Sequence, residues 1–435
     1  MTDLPAARNA RTRDASALLI GSLASGLLAY VFFATATRAL GPADAAPVSV
    51  LWTYWSLSSA AFTFPLQHWV ARTIAAHGDE ARVRSALPRV AAVVAMASVV
   101  LGLLAWIVRS DLFGRDDVAF PLLVAGVTVG SGVMGISRGV LSGRRRFGAV
   151  AGELVAENGL RCLVAFGLAV AGVDEPLAYG LALLSGHGVV VCWPSSLMVR
   201  RGRSAAIKTD GRSAVAFLSG ASSGQLLAQV VLTGSPVLLA LRGGSAAEVT
   251  ALFVGLALYR APYTLGLGLV APLTGMFTTY TVRGEHASLA RALKLIVVGG
   301  VLGVVAATAI GSTFGPALIR LVFGADVRLP ADTSTALAGG SAVAVANLVT
   351  TVLVLALGRA VVVAWAWAGG LVVALLVLLL LAGAPGSEVD HTAWSFVAAQ
   401  TTAFVVLTAT GHRLVTRPTR QAGATSDRER EMREY

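Results

Sequence analysis

The chain has 435 residues, of which 56% are hydrophobic and 13% charged, with a mean hydropathy of +0.75 and a formal net charge of +11. Soluble proteins typically carry about a quarter charged residues, so this composition excludes an ordinary soluble enzyme and indicates a polytopic membrane protein. The only two cysteines, Cys162 and Cys192, both lie in apolar runs. Their number and spacing exclude a disulfide framework and a structural zinc site.

Apolar runs long enough to cross a bilayer recur along the chain. A membrane-spanning helix needs about 20 predominantly apolar residues. We expect an all-α protein whose clear spans are 15–37, 48–70, 90–108, 118–140, 177–199, 215–241, 249–270, 293–314, 335–357, 360–382 and 392–411.

A further span is predicted between the fourth and fifth of these runs, because Cys162–Val173 is apolar but too short to cross alone. The stretch before it carries Glu153, Glu157 and Arg161. These residues are spaced i, i+4 and i+8, so they form one polar stripe on a helix. The sequence therefore predicts twelve spans.

The positive charges predict the orientation. Six arginines fall on one side and most of the 34 Arg and Lys residues on the other, which by the positive-inside rule puts both termini in the cytoplasm. This asymmetry accounts for the net charge without nucleic acid as a partner. The predicted organisation is a cytoplasmic N-terminus at 1–14, an N-lobe at 15–199, a cytoplasmic linker at 200–214, a C-lobe at 215–414 and a charged cytoplasmic tail at 415–435.

The two halves resemble each other at an offset that drifts from 206 to 215 residues. Each match lies on the same side of the membrane as its counterpart, which predicts two parallel six-helix lobes related by an axis along the membrane normal. The matched segments are 78–81 with 284–287, 109–114 with 320–324, and 143–144 with 358–359.

Short motifs at the span ends carry a family resemblance. They are Arg38-Ala39-Leu40-Gly41-Pro42, Pro65 to Arg72, Gly139-Val140-Leu141-Ser142-Gly143 with Arg146-Phe147, and Leu357-Gly358-Arg359. With them the chain resembles the polysaccharide-type lipid-linked oligosaccharide flippases of the multidrug/oligosaccharidyl-lipid/polysaccharide (MOP) exporter superfamily. The resemblance implies alternating access in a bacterial plasma membrane and a glycan on an undecaprenyl diphosphate carrier as substrate. It also implies contact with the machinery that assembles the glycan.

Two arginines fall near the middle of predicted spans, Arg161 in the fifth and Arg260 in the eighth. A buried guanidinium is costly and normally faces a cavity or a partner, and it binds phosphate oxygens in a bidentate manner. Both are therefore candidate substrate-binding residues. For Arg161 an ion pair with Glu157 that merely closes the helix bundle is an equal alternative, whereas Arg260 has no acidic residue within one helical turn.

Other polar residues within the spans have weaker assignments. Glu153 and Glu157 are candidates for binding a coupling ion, although Glu153 is equally compatible with an idle place at the inner interface. Gln225, Gln229, Asn347 and Gln400 suit sugar hydroxyls, but interhelical hydrogen bonding is an alternative for them. Prolines interrupt three spans and are candidate flex points: Pro65, Pro236, Pro262 and Pro272.

No metal cluster, cofactor motif or catalytic arrangement is found at a credible spacing, so we expect neither a cofactor nor an enzyme. Two other functions stay open. The first is an ion-coupled multidrug exporter with the same fold. The second is a membrane glycan polymerase or ligase, which needs a larger outer loop than this sequence offers.

Overall fold

The computed structural model describes residues 4–77, 80–199 and 223–416, and this part of the chain is helical throughout, without strands. The predicted linker at 200–214, most of the predicted tail at 415–435, and positions 78–79 of the sequence repeat lie outside the described residues. The first half contains α1 Leu4–Asp44, α2 Ala46–Ser58, α3 Phe64–His77, α4 Ala81–Ile107, α5 Arg109–Phe113, α6 Ala119–Gly143, α7 Phe147–Val170, α8 Pro176–Ser185 and α9 Pro194–Leu197.

The second half contains α10 Ser223–Thr233, α11 Ser235–Leu241, α12 Ala246–Tyr259, α13 Ala261–Gly266, α14 Val270–Val282, α15 His286–Thr313, α16 Gly315–Phe323, α17 Ala331–Ala356, α18 Ala360–Leu381 and α19 Glu388–Thr416. Taken in order, the long and the broken helices of the described residues form twelve passes. We number these passes as spans 1 to 12, in agreement with the prediction.

Seven helices of the described chain are long and apolar enough to cross a membrane alone, and a bent pair makes an eighth candidate. The remaining passes have weaker hydropathy signals, and each has a physical reason for this. Span 5 carries the three charges of its polar stripe. Span 2 contains a π-helical turn at Ser59–Thr63, and a 3₁₀ stretch shortens the α-helix of span 6 at Gly186–Cys192.

Spans 7 and 8 are broken near their prolines. In span 7, α10 and α11 meet at Gly234 with a bend of 62°. In span 8, α12 ends before Arg260, and a 3₁₀ turn separates α13 from α14. Proline has no N–H and clashes with the preceding turn, so Pro236 and Pro262 each stand at the start of a new helix.

Helix packing repeats between the halves. In the first half α1 packs on α7, and both α3 and α4 pack on α6; in the second half α10 packs on α18, and both α14 and α15 pack on α17. The equivalent pairs occur in the same order along the chain, as expected of two parallel lobes. The structure thus consists of an N-lobe of spans 1–6 and a C-lobe of spans 7–12.

The lobes meet on the outer side, which is the side that the charge pattern predicts to be extracellular. There α1 and α2 pack on α12, and α5 packs on α11. The Phe33 and Phe253 rings are 4.4 Å apart, and Arg38 Nε donates to the Val322 carbonyl at 3.1 Å. Within the described residues the inner halves of spans 2 and 8, α3 and α14, do not pack on the opposite lobe, and they carry exposed side chains such as His68, Arg72 and Met276. The lobes are therefore closed on the outer side and open on the inner side.

Candidate functional site

The N-lobe interior holds four charged residues, which we call the N-lobe cluster: Arg138 on α6, and Glu153, Glu157 and Arg161 on α7. All four are buried. Glu157 lies between two guanidinium groups, since Arg138 Nη2 donates to its Oε2 and Arg161 Nη2 donates to its Oε1 at 2.6 Å. Two carboxylates and two guanidinium groups make the cluster formally neutral.

Arg161 uses its remaining donors within the lobe. Its Nε donates to the Leu183 carbonyl and its Nη1 to Asn158 Oδ1, both at 2.9 Å. The guanidinium carbon also lies 4.3 Å from the centre of the Trp55 ring, which is within the range of a cation–π contact. In this conformation Arg161 is fully enclosed and pairs with Glu157.

Arg138 is the residue of this cluster that sequence reasoning missed. The distribution of positive charges predicts that Arg138 belongs to the inner end of span 4, and that only Arg161 and Arg260 lie within the membrane. The structure corrects this, because α6 continues to Gly143 and buries Arg138 against α7. Five apolar or small residues follow Arg138 before the next charged residue, Arg144, and this interval was the available signal.

Glu153 is the least satisfied member of the cluster. Its Oε2 accepts a hydrogen bond from Ser137 Oγ at 3.0 Å. Its Oε1 lies 3.7 Å from Arg138 Nε, which is too long for a hydrogen bond, and both atoms are buried without a partner. The cluster therefore contains one gap, between a carboxylate oxygen and a guanidinium N–H.

Arg260 occupies a different position, at the break in span 8 where the lobes meet. It caps the C-terminal end of α12 and is only partly buried. Tyr30 of α1 reaches across from the N-lobe, and its hydroxyl donates to the Ala257 carbonyl at 2.5 Å. Among the described residues no carboxylate lies within ion-pair distance of Arg260.

The prolines explain part of the position of Arg260. In a continuous helix the Leu232 carbonyl accepts a hydrogen bond from the N–H of residue 236, but that residue is proline. Arg260 Nη1 donates to the Leu232 carbonyl instead, at 3.0 Å, and Nε donates to the Leu256 carbonyl at 3.0 Å. A guanidinium group has five N–H donors, so three remain without a partner in the described chain.

The four neutral candidates separate into two groups. Asn347 and Gln400 are buried and bonded to each other, with Asn347 Nδ2 donating to Gln400 Oε1 at 2.9 Å. The other two lie on α10, where Gln225 is exposed and Gln229 is partly buried. Only the α10 pair is accessible in this conformation. The described residues contain no group of three or more His, Cys, Asp or Glu side chains suited to a metal ion.

Comparison with known families decides the relationship. The family model described as polysaccharide biosynthesis protein matches residues 12–282, which is more than half of the chain. The chain belongs to this family. No curated protein matches it in sequence, so the family model carries the assignment.

Solved structures with the same fold are MATE and related transporters of the MOP superfamily. An inward-facing multidrug resistance MATE transporter matches with a TM-score of 0.66 at 15% identity, over 92% of this chain and 94% of that one. A eukaryotic MATE transporter matches at 0.63 and 13%, over 96% and 98%. A MOP-superfamily transporter from Pyrococcus furiosus, described as having a binding pocket of reversed polarity, matches at 0.62 and 14%, over 93% and 95%. The chain is thus a multi-pass membrane protein with the MOP-superfamily transporter fold.

Proposed function

We propose that this protein flips an undecaprenyl-diphosphate-linked oligosaccharide across the bacterial plasma membrane by alternating access, for the synthesis of a surface polysaccharide. The observation that carries the proposal is Arg260, a guanidinium group at the lobe junction with no carboxylate partner among the described residues. Membership of the polysaccharide biosynthesis family supports the glycan part of the substrate.

A diphosphate matches the free donors of Arg260. Guanidinium groups bind phosphate oxygens in a bidentate geometry and keep their charge at all physiological pH values. An unpaired charge within the membrane is costly, so an anionic ligand that neutralises it gains affinity. Tyr30 and Tyr263 lie close enough to interact electrostatically with Arg260, and both side chains are only partly buried. The Tyr263 hydroxyl can donate to the same ligand, whereas the Tyr30 hydroxyl already donates to the Ala257 carbonyl.

An exporter of cationic drugs is the alternative with the same fold, and the N-lobe cluster argues against it. Such a substrate requires a negative group that it can reach. Glu157 is held by two arginines, and Glu153 is fully buried beside Arg138. The outer connections also leave little room for a polymerase or ligase module, since the connection between α16 and α17 runs only from Gly324 to Pro330.

Glu153 is the residue that we assign to ion coupling. Its unpaired Oε1 faces an unpaired Arg138 N–H across 3.7 Å, and protonation of this carboxyl group would change how span 5 is held to span 4. Glu153→Gln is therefore expected to uncouple export from the proton gradient while protein remains in the membrane. Export by Glu153→Gln that still collapses with the gradient would contradict this assignment.

Complementation of surface-glycan export tests the main proposal. We expect Arg260→Ala to abolish export, because the ligand loses its bidentate partner. Arg260→Lys should restore only part of it, since lysine keeps the charge but not the planar fork. Arg320→Ala is the matched control: it removes an exposed C-lobe arginine on the outer side and should export normally.

Protein level in the membrane is measured for each variant, because Arg260→Ala also removes the hydrogen bond to the Leu232 carbonyl. Loss of one such bond costs about 1 kcal/mol. Partial export by Arg260→Lys would show that the fold tolerates this loss. Normal export by a well-expressed Arg260→Ala variant would exclude an anionic substrate at this site and favour the drug exporter.

A further inference from the structure

A second cationic site lies at the inner end of the N-lobe, among spans 1, 2, 4 and 5. We call it the inner vestibule. It is a cavity of about 710 Å³, which is within the size range of ligand pockets. It is lined by Leu18, Gln67, His68, Ala71, Arg72, Ile74, Ala75, Ser142, Gly143, Arg145, Phe147 and Val150.

Two arginines of the vestibule are not engaged by carboxylates. Arg72 on α3 and Arg145 in the turn between α6 and α7 are both exposed, and neither has an ion-pair partner in the described chain. Arg144, the neighbour of Arg145, provides a contrast: its Nε and Nη2 donate to the two oxygens of Glu80 at 2.7 and 2.9 Å. One arginine of this turn is therefore structural, while the next has its charge available.

The backbone of this turn supplies an independent observation. Arg145 has a φ of 56° and is the sole residue other than glycine with a positive φ in the described chain. The left-handed region costs a non-glycine residue of order 1 kcal/mol, so glycine would be the easier residue here. Strained residues of this kind concentrate at ligand sites, and the strained residue here is one that lines the cavity.

The rest of the lining is amphipathic. Gln67 and His68 on α3 add polar groups beside the two arginines, whereas Leu18, Ile74 and Val150 form an apolar part. A soluble anion would use only the polar part of such a cavity. A diphosphate attached to an isoprenoid chain would use both, with its phosphates on the arginines and its first isoprene units on the apolar side chains.

We propose that the inner vestibule is a loading site, where the diphosphate of a lipid-linked substrate binds Arg72 and Arg145 before it moves to Arg260. This inference rests on the proposed function, and it adds a second phosphate-binding position on the inner side. The lining residues His68, Arg72 and Arg145 are exposed, so the vestibule is accessible in this conformation.

Binding measurements on the purified full chain in lipid nanodiscs test the loading site. The probe is undecaprenyl diphosphate, with inorganic pyrophosphate as a second arm without lipid. Arg145→Gly suits the test because glycine accepts the left-handed backbone while the guanidinium is lost. We expect it to weaken undecaprenyl diphosphate binding about ten- to a hundredfold, which is the worth of a charge-assisted hydrogen bond. Arg72→Gln should act in the same direction.

Arg146→Gly is the matched control. It removes one positive charge from the same turn, but Arg146 does not line the cavity and glycine is well tolerated at the N-cap of a helix. Its effect should stay within about threefold, as expected of screened surface charge. Equal weakening by Arg146→Gly and Arg145→Gly would show that only the general charge of the turn matters, and would overturn the proposal.

The outcomes separate the loading site from the proposed function. If Arg145→Gly binds undecaprenyl diphosphate like the unaltered chain while Arg260→Gln binds it weakly, the loading site is wrong and the proposed function stands. If the unaltered chain binds neither probe, both fail. If pyrophosphate binds as tightly as the lipid, the site is one for soluble anions and the loading proposal is overturned.

Discussion

The two lobes differ in the kind of polar side chain that they bury. In the N-lobe, spans 4 and 5 bury two arginines and two glutamates that neutralise one another. In the C-lobe, spans 10 and 12 bury no Asp, Glu, Lys or Arg among the described residues; they bury the amide pair Asn347 and Gln400 together with His391 and several hydroxyl side chains. The C-lobe's one charge at a similar depth, Arg260, stands at the lobe junction without a carboxylate among the described residues.

This difference separates two uses of a charge in a membrane. A guanidinium group whose N–H donors all have partners holds helices together and has few free donors for a ligand. A guanidinium that only caps broken helices keeps donors for a substrate. We therefore expect changes at the tightly paired members of the N-lobe cluster, Glu157 and Arg161, to affect stability first, and changes at Arg260 to affect transport first.

The largest effect is expected from Glu157→Gln. The substitution leaves Arg138 and Arg161 buried without their shared counter-charge, and breaking a buried ion pair in this way costs about 3–5 kcal/mol. The measurements are the level of the variant in the membrane and its thermal unfolding in detergent. A matched control is Glu175→Gln, which alters an exposed glutamate in an outer connection of the same lobe.

The pair itself is isolated by a double-mutant cycle. If the ion pair with Glu157 is the main reason that Arg161 is buried, Arg161→Ala combined with Glu157→Ala should lose less than the sum of the single variants, with a coupling of about 0.5–3 kcal/mol. Simple additivity of the two single effects would contradict the ion pair as the reason for burial.

A smaller loss of stability is expected from Gly186→Ala, which adds one methyl group beside the cluster. A Cβ at Gly186 would overlap Arg161 Nε and would lie 2.9 Å from the Glu157 carbonyl oxygen. Overpacking of this kind typically costs about 1–3 kcal/mol, seen as a lower unfolding temperature. Gly188→Ala is the control, since a Cβ there meets no atom within 4 Å; equal losses from both would attribute the effect to the 3₁₀ backbone instead.

The sequence predicted the parts of this arrangement that depend on local spacing. Glu157 and Arg161 are one helical turn apart, so their pairing was one of two stated alternatives. Arg138 comes from another helix, and its distance from Glu157 depends on how α6 packs on α7. Hydrophobic periodicity does not contain that information, because a charge near a helix end can equally be solvated.

The same limit applies to the broken spans. Pro236 and Pro262 predict that helices are interrupted, since proline lacks the N–H that continues a helix. They do not predict which group satisfies the carbonyl left free at Leu232. The answer, Arg260 from the next span, requires the fold. Twelve passes and two parallel lobes, by contrast, followed from run lengths and from a repeat with consistent sidedness.

The C-lobe pair gives the next test. Asn347→Leu should cost about 1–3 kcal/mol, because it leaves the side-chain amide of Gln400 buried and unpaired. Replacing both partners, Asn347→Leu with Gln400→Leu, should recover most of this loss, since Asn347 Oδ1 and Gln400 Nε2 already lack partners. Thermal unfolding measures both. A double variant that folds well but does not export would instead assign these amides to the transport cycle.

The smallest effect is expected at the outer surface of the C-lobe, where Arg242 Nε donates to Glu388 Oε2 at 2.7 Å. The hydrogen bond from the Arg242 side chain lowers the pKa of Glu388 below its usual value, which is about 4.3 for an unfolded chain. The pair should therefore stabilise the fold above that pH and lose its contribution as the pH falls through the lowered pKa. Because Glu388 is about one-third exposed, solvent screening limits the contribution to about 0–1 kcal/mol.

Glu388→Gln should accordingly lower the unfolding temperature slightly at pH 7, and its difference from the unaltered protein should disappear as the pH falls through the lowered pKa of Glu388. Asp326→Asn, at an exposed outer carboxylate with no ion pair in the described chain, is the control and should show no such difference. A difference in unfolding temperature for Glu388→Gln that persisted in acid would mean that packing of the Glu388 side chain, rather than its charge, stabilises this contact. In that case the presence or absence of a charge partner would matter for stability only at buried or partly buried groups such as Glu157 and Arg260. A solvated pair such as Arg242 and Glu388 would contribute through packing alone.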